Sequence, residues 1–293
     1  MASTSLHPAP TSPSPCNNRI GVNSTIAFAK AQSRDKKAGR GDRSVSAGSC
    51  GSAAEQGYEL GYYYVAFYYA FDIKNKSEAY NWCIKAAEHG FPRTLTYIGK
   101  DYRFGIRGSN PDYSEASKYY RKAAEFGDSE GQRILGDCYY WGQWGEKQNY
   151  TKAISWYRKA AEQGDSLAME RIGDCYACEG EGWSRNITES IYWYRQAAEH
   201  GNSNAMRELG DIYTHGIIVQ QDYCEALKWY RKAADHQDGH AYYKLGNFYE
   251  NGWGVQQDYS EALKWYRKAA NSFSSYKSSA QRAVERLESQ GYK

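Results

Sequence analysis

Hydrophobic and polar positions in residues 241–270 form two helical patterns separated by a break. The first half has small or apolar residues at i, i+4, i+5 and i+8, which share one face of an α-helix: Ala241, Leu245, Gly246 and Tyr249. A Gly-Trp-Gly sequence then interrupts the helix. The second half repeats the helical period at Ala262, Trp265, Tyr266, Ala269 and Ala270. Each helix has only one apolar stripe, which it cannot bury alone. The pattern therefore predicts that the two helices pack as a hairpin and that hairpins stack on one another to bury the remaining apolar surface.

The same frame recurs along the chain, where it is marked by a glycine that follows Leu or Ile in the first helix. These marker glycines are 37, 37, 37 and 36 residues apart, at Gly99, Gly136, Gly173, Gly210 and Gly246. An aromatic column marks the second helix at Trp82, Tyr119, Trp156, Trp193, Trp229 and Trp265. This period is typical of a solenoid. We expect a first unit that begins near residue 53, with a shortened loop at 70–74, and five further units at 94–124, 131–161, 168–198, 205–234 and 241–270.

Second helices are predicted to begin with a capping box, in which an N-cap residue is followed three positions later by Glu. Five units fit: Asn75 with Glu78, Asp112 with Glu115, Asn186 with Glu189, Asp222 with Glu225, and Asp258 with Glu261. The third unit has Lys152 after Asn149, which predicts a weaker helix start. Residues 278–289 predict a last, capping helix.

These residues carry a family resemblance. The Leu-Gly pair, the tyrosine after it, the glycine-containing loop and the sequence Glu-Ala-Leu-Lys-Trp-Tyr-Arg-Lys-Ala-Ala at 261–270 resemble the Sel1-like repeat, a relative of the tetratricopeptide repeat. The resemblance covers about residues 53–270. It implies an all-α, right-handed superhelical solenoid of about six helix-turn-helix repeats. It also implies a non-catalytic scaffold or adaptor for other proteins.

Residues 1–52 lack a periodic apolar pattern and are rich in Ser, Pro, Gly and basic residues, which predicts a disordered tail ahead of a repeat domain at 53–293. Alternatively, the tail is an organellar transit peptide, since residues 1–34 contain no Asp or Glu. The protein would then be a regulatory or targeting subunit delivered to an organelle. We favour the plain tail and the cytoplasm. No apolar core of a secretory signal is present.

Charge argues against nucleic acid as a partner. The chain has a net charge of +3, but residues 1–53 contain seven basic and two acidic residues, so the repeat region is slightly acidic. No run of 18 apolar residues occurs, and we expect no membrane span.

No motif for catalysis, a cofactor or a metal is evident. Cys175 and Cys178 form a CxxC pair, but no second pair or histidine cluster lies at zinc-site spacing. Cys138 and Cys175 share one repeat position, which favours buried structural thiols, whereas Cys224 is expected to be exposed. We therefore predict that the protein is not an enzyme and needs no cofactor.

Residues 61–71 (GYYYVAFYYAF) are apolar or aromatic on almost every side. We favour the interpretation that both faces are covered within an atypical end repeat. The alternative is a surface for self-association or for a partner helix.

The candidate site is the set of positions −3, +1 and +4 from each marker glycine, which share a face away from the apolar stripe. The resemblance implies that this face lines a concave groove. We predict that a partner segment binds there, with its basic part facing Glu170, Asp174 and Glu250 and its acidic part facing Lys100 and Arg103. Arg133–Asp137 and Arg207–Asp211 are predicted local pairs, while Asp174 has no such partner. The positions are Thr96, Lys100, Arg103, Arg133, Asp137, Tyr140, Glu170, Asp174, Ala177, Arg207, Asp211, Thr214, Tyr243, Asn247 and Glu250.

Overall fold

The structure is a computed structural model, which describes residues 54, 56–105, 110–179, 183–216 and 219–293. The tail predicted for residues 1–52, with its disordered and transit-peptide alternatives, lies outside these residues. The chain divides into two compact units between Ile98 and Gly99. Each unit is described separately below.

The first unit contains an atypical end repeat. Helix α1 (Glu59–Phe67) passes directly into one π-helical turn (Tyr68–Asp72), and α2 (Lys76–Glu88) and the start of α3 (Arg93–Phe104) follow. The predicted short loop has no glycine to break the helix, and the helix widens into a π-turn, where the Ile73 N–H donates to the Tyr68 carbonyl five residues earlier at 3.0 Å. Helix α1 packs on α2 around Tyr62 and Trp82.

Within residues 61–71, five residues are buried and the other six are half-buried, so the aromatic stretch is covered only in part. The exposed large apolar residues of this region, Leu60 and Ile73, lie at its borders. Self-association through the stretch stays a prediction.

The second unit is an array of helical hairpins. First helices alternate with second helices. From residue 113 to residue 270, each second helix packs on the first helix that follows, and each first helix packs on the second helix of its own repeat. The described residues contain 13 α-helices and no strand, which confirms the all-α repeat architecture. The remaining helices are α4 (Tyr113–Glu125), α5 (Ser129–Trp141), α6 (Tyr150–Ala161), α7 (Ser166–Ala177), α8 (Ile187–Glu199), α9 (Ser203–His215), α10 (Tyr223–Asp235), α11 (Gly239–Asn251), α12 (Tyr259–Ala270) and the predicted capping helix α13 (Lys277–Ser289).

Marker glycines are explained by the rings that pack on them. A Cβ at Gly136 would lie 2.5 Å from Cε1 of Tyr157, and a Cβ at Gly173 would lie 2.6 Å from the Tyr194 ring. Any side chain there would overlap a ring held between two helices, which accounts for a glycine in a helix interior. The innermost aromatic column therefore lies one residue after the predicted one, at Tyr120, Tyr157, Tyr194, Tyr230 and Tyr266.

The predicted tryptophan column lies mostly half-buried beside this core. A lysine three residues later covers the ring: Lys159 Nζ lies 3.9 Å from the Trp156 ring centre, and Lys268 Nζ 4.0 Å from that of Trp265. Such cation–π contacts are worth about 0.5–1 kcal/mol at exposed sites. The arginine two residues after the column position reaches the next repeat, where it donates to a tyrosine hydroxyl: Arg158 to Tyr176, Arg195 to Tyr213 and Arg231 to Tyr249.

Helix starts differ from the predicted capping box in one respect. The N-cap side chain accepts the N3 backbone N–H as expected, including Asn149 from Lys152 at 2.9 Å. The N-cap's own N–H, however, donates to a tyrosine carbonyl of the first helix, as from Asn149 to Tyr139 at 2.8 Å. The N3 glutamate therefore does not complete the box. First helices carry N-caps that the sequence reasoning missed: Asp128, Asp165, Asn202 and Asp238.

Candidate functional site: the first-helix face of residues 99–293

The residue after each of the last four marker glycines accepts a hydrogen bond from the core tyrosine of its own repeat. The four donor–acceptor distances lie between 2.6 and 2.8 Å, for Tyr157 to Asp137, Tyr194 to Asp174, Tyr230 to Asp211 and Tyr266 to Asn247. Burial, followed by the nearby Asp137 carboxylate, raises the pKa of Tyr157, so the hydroxyl keeps its proton and donates it. The predicted aspartate ladder therefore exists, but its first role is to satisfy buried hydroxyls.

A second set of contacts joins neighbouring repeats along this face. A cation two residues before a marker glycine reaches back to the aspartate of the preceding repeat. Arg171 Nε lies 3.7 Å from Asp137 Oδ1, and Lys244 Nζ lies 2.6 Å from Asp211 Oδ1. We call this series the inter-repeat ladder. At the junction between the two contacts, the residue at the same position, two before the marker glycine, is Glu208. The inter-repeat ladder therefore has a carboxylate next to Asp174 where the neighbouring junctions have a cation.

Glu170, Asp174 and Glu208 form what we call the acidic cluster, on α7 and α9. Burial raises the pKa of Glu208; Arg207 opposes this effect, and Asp211, Asp174 and Glu170 add to it. Burial also raises the pKa of Glu170, which accepts a hydrogen bond from Asn202 Nδ2 at 2.7 Å. The raised pKa values reflect carboxylates held close together with limited access to water.

Local ion pairs differ from the sequence expectation at two places. Arg133 pairs with Asp137 at 3.4 Å, as predicted. Arg207 pairs with Glu208 at 3.1 Å and not with Asp211. Asp174 does have a local partner, since Arg171 Nη1 lies 2.8 Å from its Oδ2.

Several predicted groove residues are buried or contact the capping helix or the segment before it. Thr96, in the first unit, is fully buried, and Tyr140 is 7% exposed. Glu250 accepts the Tyr266 hydroxyl at 2.7 Å and pairs with Arg286 of α13 at 2.7 Å, so its charge is already neutralised. Tyr243 stacks on Tyr276.

The basic end of the face lies at α3. Lys100 Nζ lies 2.7 Å from Glu130 Oε2. The Arg103 guanidinium lies 5.6 Å from the Trp144 ring centre and 5.4 Å from that of Phe104. Arg103 opens onto a cavity of about 540 Å³, which Phe104, Tyr113, Gln143 and Trp144 also line.

The cysteines agree with their predicted structural role. Cys138 and Cys175 are buried, and Cys224 is exposed. Burial raises the pKa of the Cys138 thiol to about 12, which keeps it protonated and unreactive at neutral pH. Within the described residues, no three His, Cys, Asp or Glu side chains are grouped so that they could hold a metal ion. None of the described helices has the length and apolar character to cross a membrane.

Six consecutive segments match the Sel1 repeat, at residues 58–91, 95–128, 129–165, 166–202, 203–238 and 239–272. The chain belongs to the Sel1 repeat family. Sel1 repeat proteins are generally protein-interaction scaffolds, and the family is typically non-enzymatic. The six matches also confirm the number of repeats predicted from the marker glycines and the aromatic column.

Two solved structures resemble this Sel1 repeat protein over most of its length. One is c5321, described as a protective antigen of uropathogenic Escherichia coli strains; it is 30% identical, with a TM-score of 0.67 over 84% of this chain and 52% of that chain. The chain thus spans about half the length of that protein. The other is a Sel1 repeat protein from Oxalobacter formigenes, 32% identical, with a TM-score of 0.59 over 73% of this chain and 87% of that one. No curated protein matches the sequence.

Proposed function

We propose that this Sel1 repeat protein is a non-catalytic scaffold that binds a basic segment of a partner protein on the first-helix face of residues 99–293. The acidic cluster carries this proposal. At the junctions on either side, a cation of the chain itself faces the aspartate of the preceding repeat, but Glu208 leaves Asp174 without one.

A partner lysine or arginine would occupy the place that Arg171 and Lys244 occupy at those neighbouring junctions. It would relieve the repulsion among the three carboxylates, whose desolvation the fold already requires. Arg171 pairs with Asp174 and Arg207 with Glu208, so two cations face the three carboxylates of the acidic cluster, which keeps a negative charge. Glu250 is not part of this target, because its pair with Arg286 leaves it no net charge. The proposed contact is thus centred on Glu170, Asp174 and Glu208.

Glu208→Lys is the variant that tests this proposal. The lysine would complete the inter-repeat ladder, so the fold should be kept while the site loses its negative charge. Asp174→Arg is less suitable, because Asp174 accepts the buried Tyr194 hydroxyl and its loss would disturb the repeat. Glu162→Lys makes the same substitution at an exposed position at the end of α6 and serves as the matched control.

Proteins that copurify with the full-length chain are compared among the wild type and the two variants by quantitative mass spectrometry. We expect at least one partner to be lost with Glu208→Lys and kept with Glu162→Lys. Its binding segment, mapped by cross-linking to α7 and α9, should be rich in Lys or Arg. Partners retained equally by both variants would contradict the proposed site.

A further inference from the structure

The repeat that begins with α3 lacks the acceptor that the other repeats provide for their core tyrosine. Tyr120 packs on Gly99 as Tyr157 packs on Gly136, and its side chain is fully buried. The residue after Gly99 is Lys100, where the later repeats have Asp137, Asp174, Asp211 and Asn247. Lys100 has no acceptor atom, and no described residue accepts a hydrogen bond from the Tyr120 hydroxyl.

This hydroxyl lies near one cation and one carboxylate. Burial raises the pKa of Tyr120, Arg103 beside the hydroxyl opposes this effect, and the more weakly acting Glu130 adds to it. Lys100 is held by Glu130, whereas the described residues place no carboxylate within ion-pair distance of Arg103. An arginine cannot accept the tyrosine proton. Arg103 is close enough to Asp137 to lower the pKa of that carboxyl, but too far from it to form an ion pair. A buried donor without an acceptor among the described residues therefore lies beside a guanidinium without a direct ion pair, and one anion could satisfy both groups.

The cavity next to Arg103 gives such an anion a place to enter. Trp144 forms one wall and stacks on the Tyr120 ring, with the ring centres 5.5 Å apart. Phe104 and Tyr113 form other walls and are more than half exposed. The cavity thus combines one unpaired cation with aromatic surface, which suits an acidic side chain that has an apolar neighbour.

We propose that this cavity binds a carboxylate from an acidic segment of a partner protein, which pairs with Arg103 and accepts the hydrogen bond of the Tyr120 hydroxyl. The choice of a carboxylate follows from the neighbouring repeats, where the acceptor for the same tyrosine is the carboxylate of Asp137, Asp174 or Asp211. The biological source of the ligand rests on the proposed scaffold function, but the site itself can be tested without any partner.

The test uses the full-length protein labelled with ¹⁵N and follows the indole N–H signal of Trp144, assigned with Trp144→Phe. The probe is N-acetyl-glutamate α-amide, titrated to about 50 mM at constant ionic strength, since so small a ligand should bind in the millimolar range. N-acetyl-glutamine amide, which has the same shape without the charge, is the matched control ligand.

We expect the Trp144 signal to shift saturably with the glutamate probe and not with the glutamine probe. Arg103→Gln should weaken binding about tenfold or more, and Tyr120→Phe about threefold to tenfold. Arg282→Gln, an exposed cation on α13, should have no effect. Lys100→Asp supplies Tyr120 with an internal acceptor, so it should also weaken binding at least tenfold, and it gives an independent result should Arg103→Gln fail to fold.

Equal shifts with the two probes, no shift of Trp144 in the wild type, or the same loss with Arg282→Gln as with Arg103→Gln would overturn this inference. None of these outcomes bears on the acidic cluster, which is tested separately through Glu208. Failure of this site is therefore distinguishable from failure of the proposed function.

Discussion

Each core tyrosine carries a polar atom into the interior of its repeat, and the energetic cost depends on whether an acceptor meets it. Asp137 meets the hydroxyl of Tyr157 at 2.7 Å, and Tyr120 has no such partner among the described residues. An unpaired buried hydroxyl costs about 1–3 kcal/mol, whereas one bonded to a charged acceptor stabilises by about 1.5–3 kcal/mol. Two side chains with the same ring packing should therefore respond differently to loss of the hydroxyl.

We predict that Tyr157→Phe lowers the free energy of unfolding by roughly 1.5 kcal/mol, because Asp137 loses its donor. Tyr120→Phe, the matched variant, should be neutral or slightly stabilising, because phenylalanine removes an unsatisfied group and keeps the ring on Gly99. Urea unfolding of the two variants checks this. Equal destabilisation would mean that Tyr120 has an acceptor in solution.

At the scale of the helix, the start of α6 shows how the hairpin changes a local motif. The Asn149 N–H is already bonded to the Tyr139 carbonyl, so a glutamate at position 152 has no free donor to reach. Lys152 itself lies 5.2 Å from the Tyr139 ring centre, a cation–π contact of about 0.5 kcal/mol at an exposed site. The unfavourable position of the Lys152 charge at the positive end of α6 is thus partly offset by its contact with the Tyr139 ring.

Lys152→Glu is accordingly predicted to change the free energy of unfolding by less than about 0.5 kcal/mol, since the gain from the helix dipole is offset by the lost ring contact. Glu261→Lys, the reverse change on α12, should destabilise by roughly 0.5–1 kcal/mol, because it also removes the pair with Lys264. Thermal unfolding measures both. A gain well above 1 kcal/mol for Lys152→Glu would show that the glutamate completes the box after all.

At the scale of the array, stability and binding compete at the junction of α7 and α9. The inter-repeat ladder ties Asp137 to Arg171 and Asp211 to Lys244, and Glu208 interrupts it beside Asp174. The folded state raises the pKa of Glu208 above its unfolded value, so the folded protein binds a proton more readily between those two values. The contribution of Glu208 to stability must therefore decrease as the pH rises through this window.

We predict that Glu208→Gln stabilises the protein by roughly 0.2–0.5 kcal/mol at neutral pH, the size expected for removing one like-charge pair on a helix. The difference from the wild type should shrink as the pH falls and vanish below the unfolded pKa, about 4.3. Denaturant unfolding at several pH values measures this, with Glu162→Gln as the exposed control. A difference that grows towards low pH would contradict the assigned sign.

The sequence alone determined the repeat number, the helical hairpins, the N-caps of the second helices and the recurrence of glycine at the marker positions. These features depend on short-range periodicity and helix chemistry, which recur in every copy and can be read from their spacing. Even there, the innermost ring is Tyr157, while the sequence reasoning chose Trp156, because neighbouring aromatic residues give the same pattern and only packing separates them.

Tertiary structure decided which side chains meet across repeats. Asp174 and Glu208 are 34 residues apart, and so are Asp137 and Arg171, yet one contact is between like charges and the other is an ion pair. The missing acceptor of Tyr120 was hidden for the same reason, since Lys100 looks like an ordinary surface lysine until the tyrosine that packs over Gly99 is placed beside it. Helical periodicity fixes the faces of a helix, but the partner of each face depends on how far one hairpin is rotated and displaced on the next.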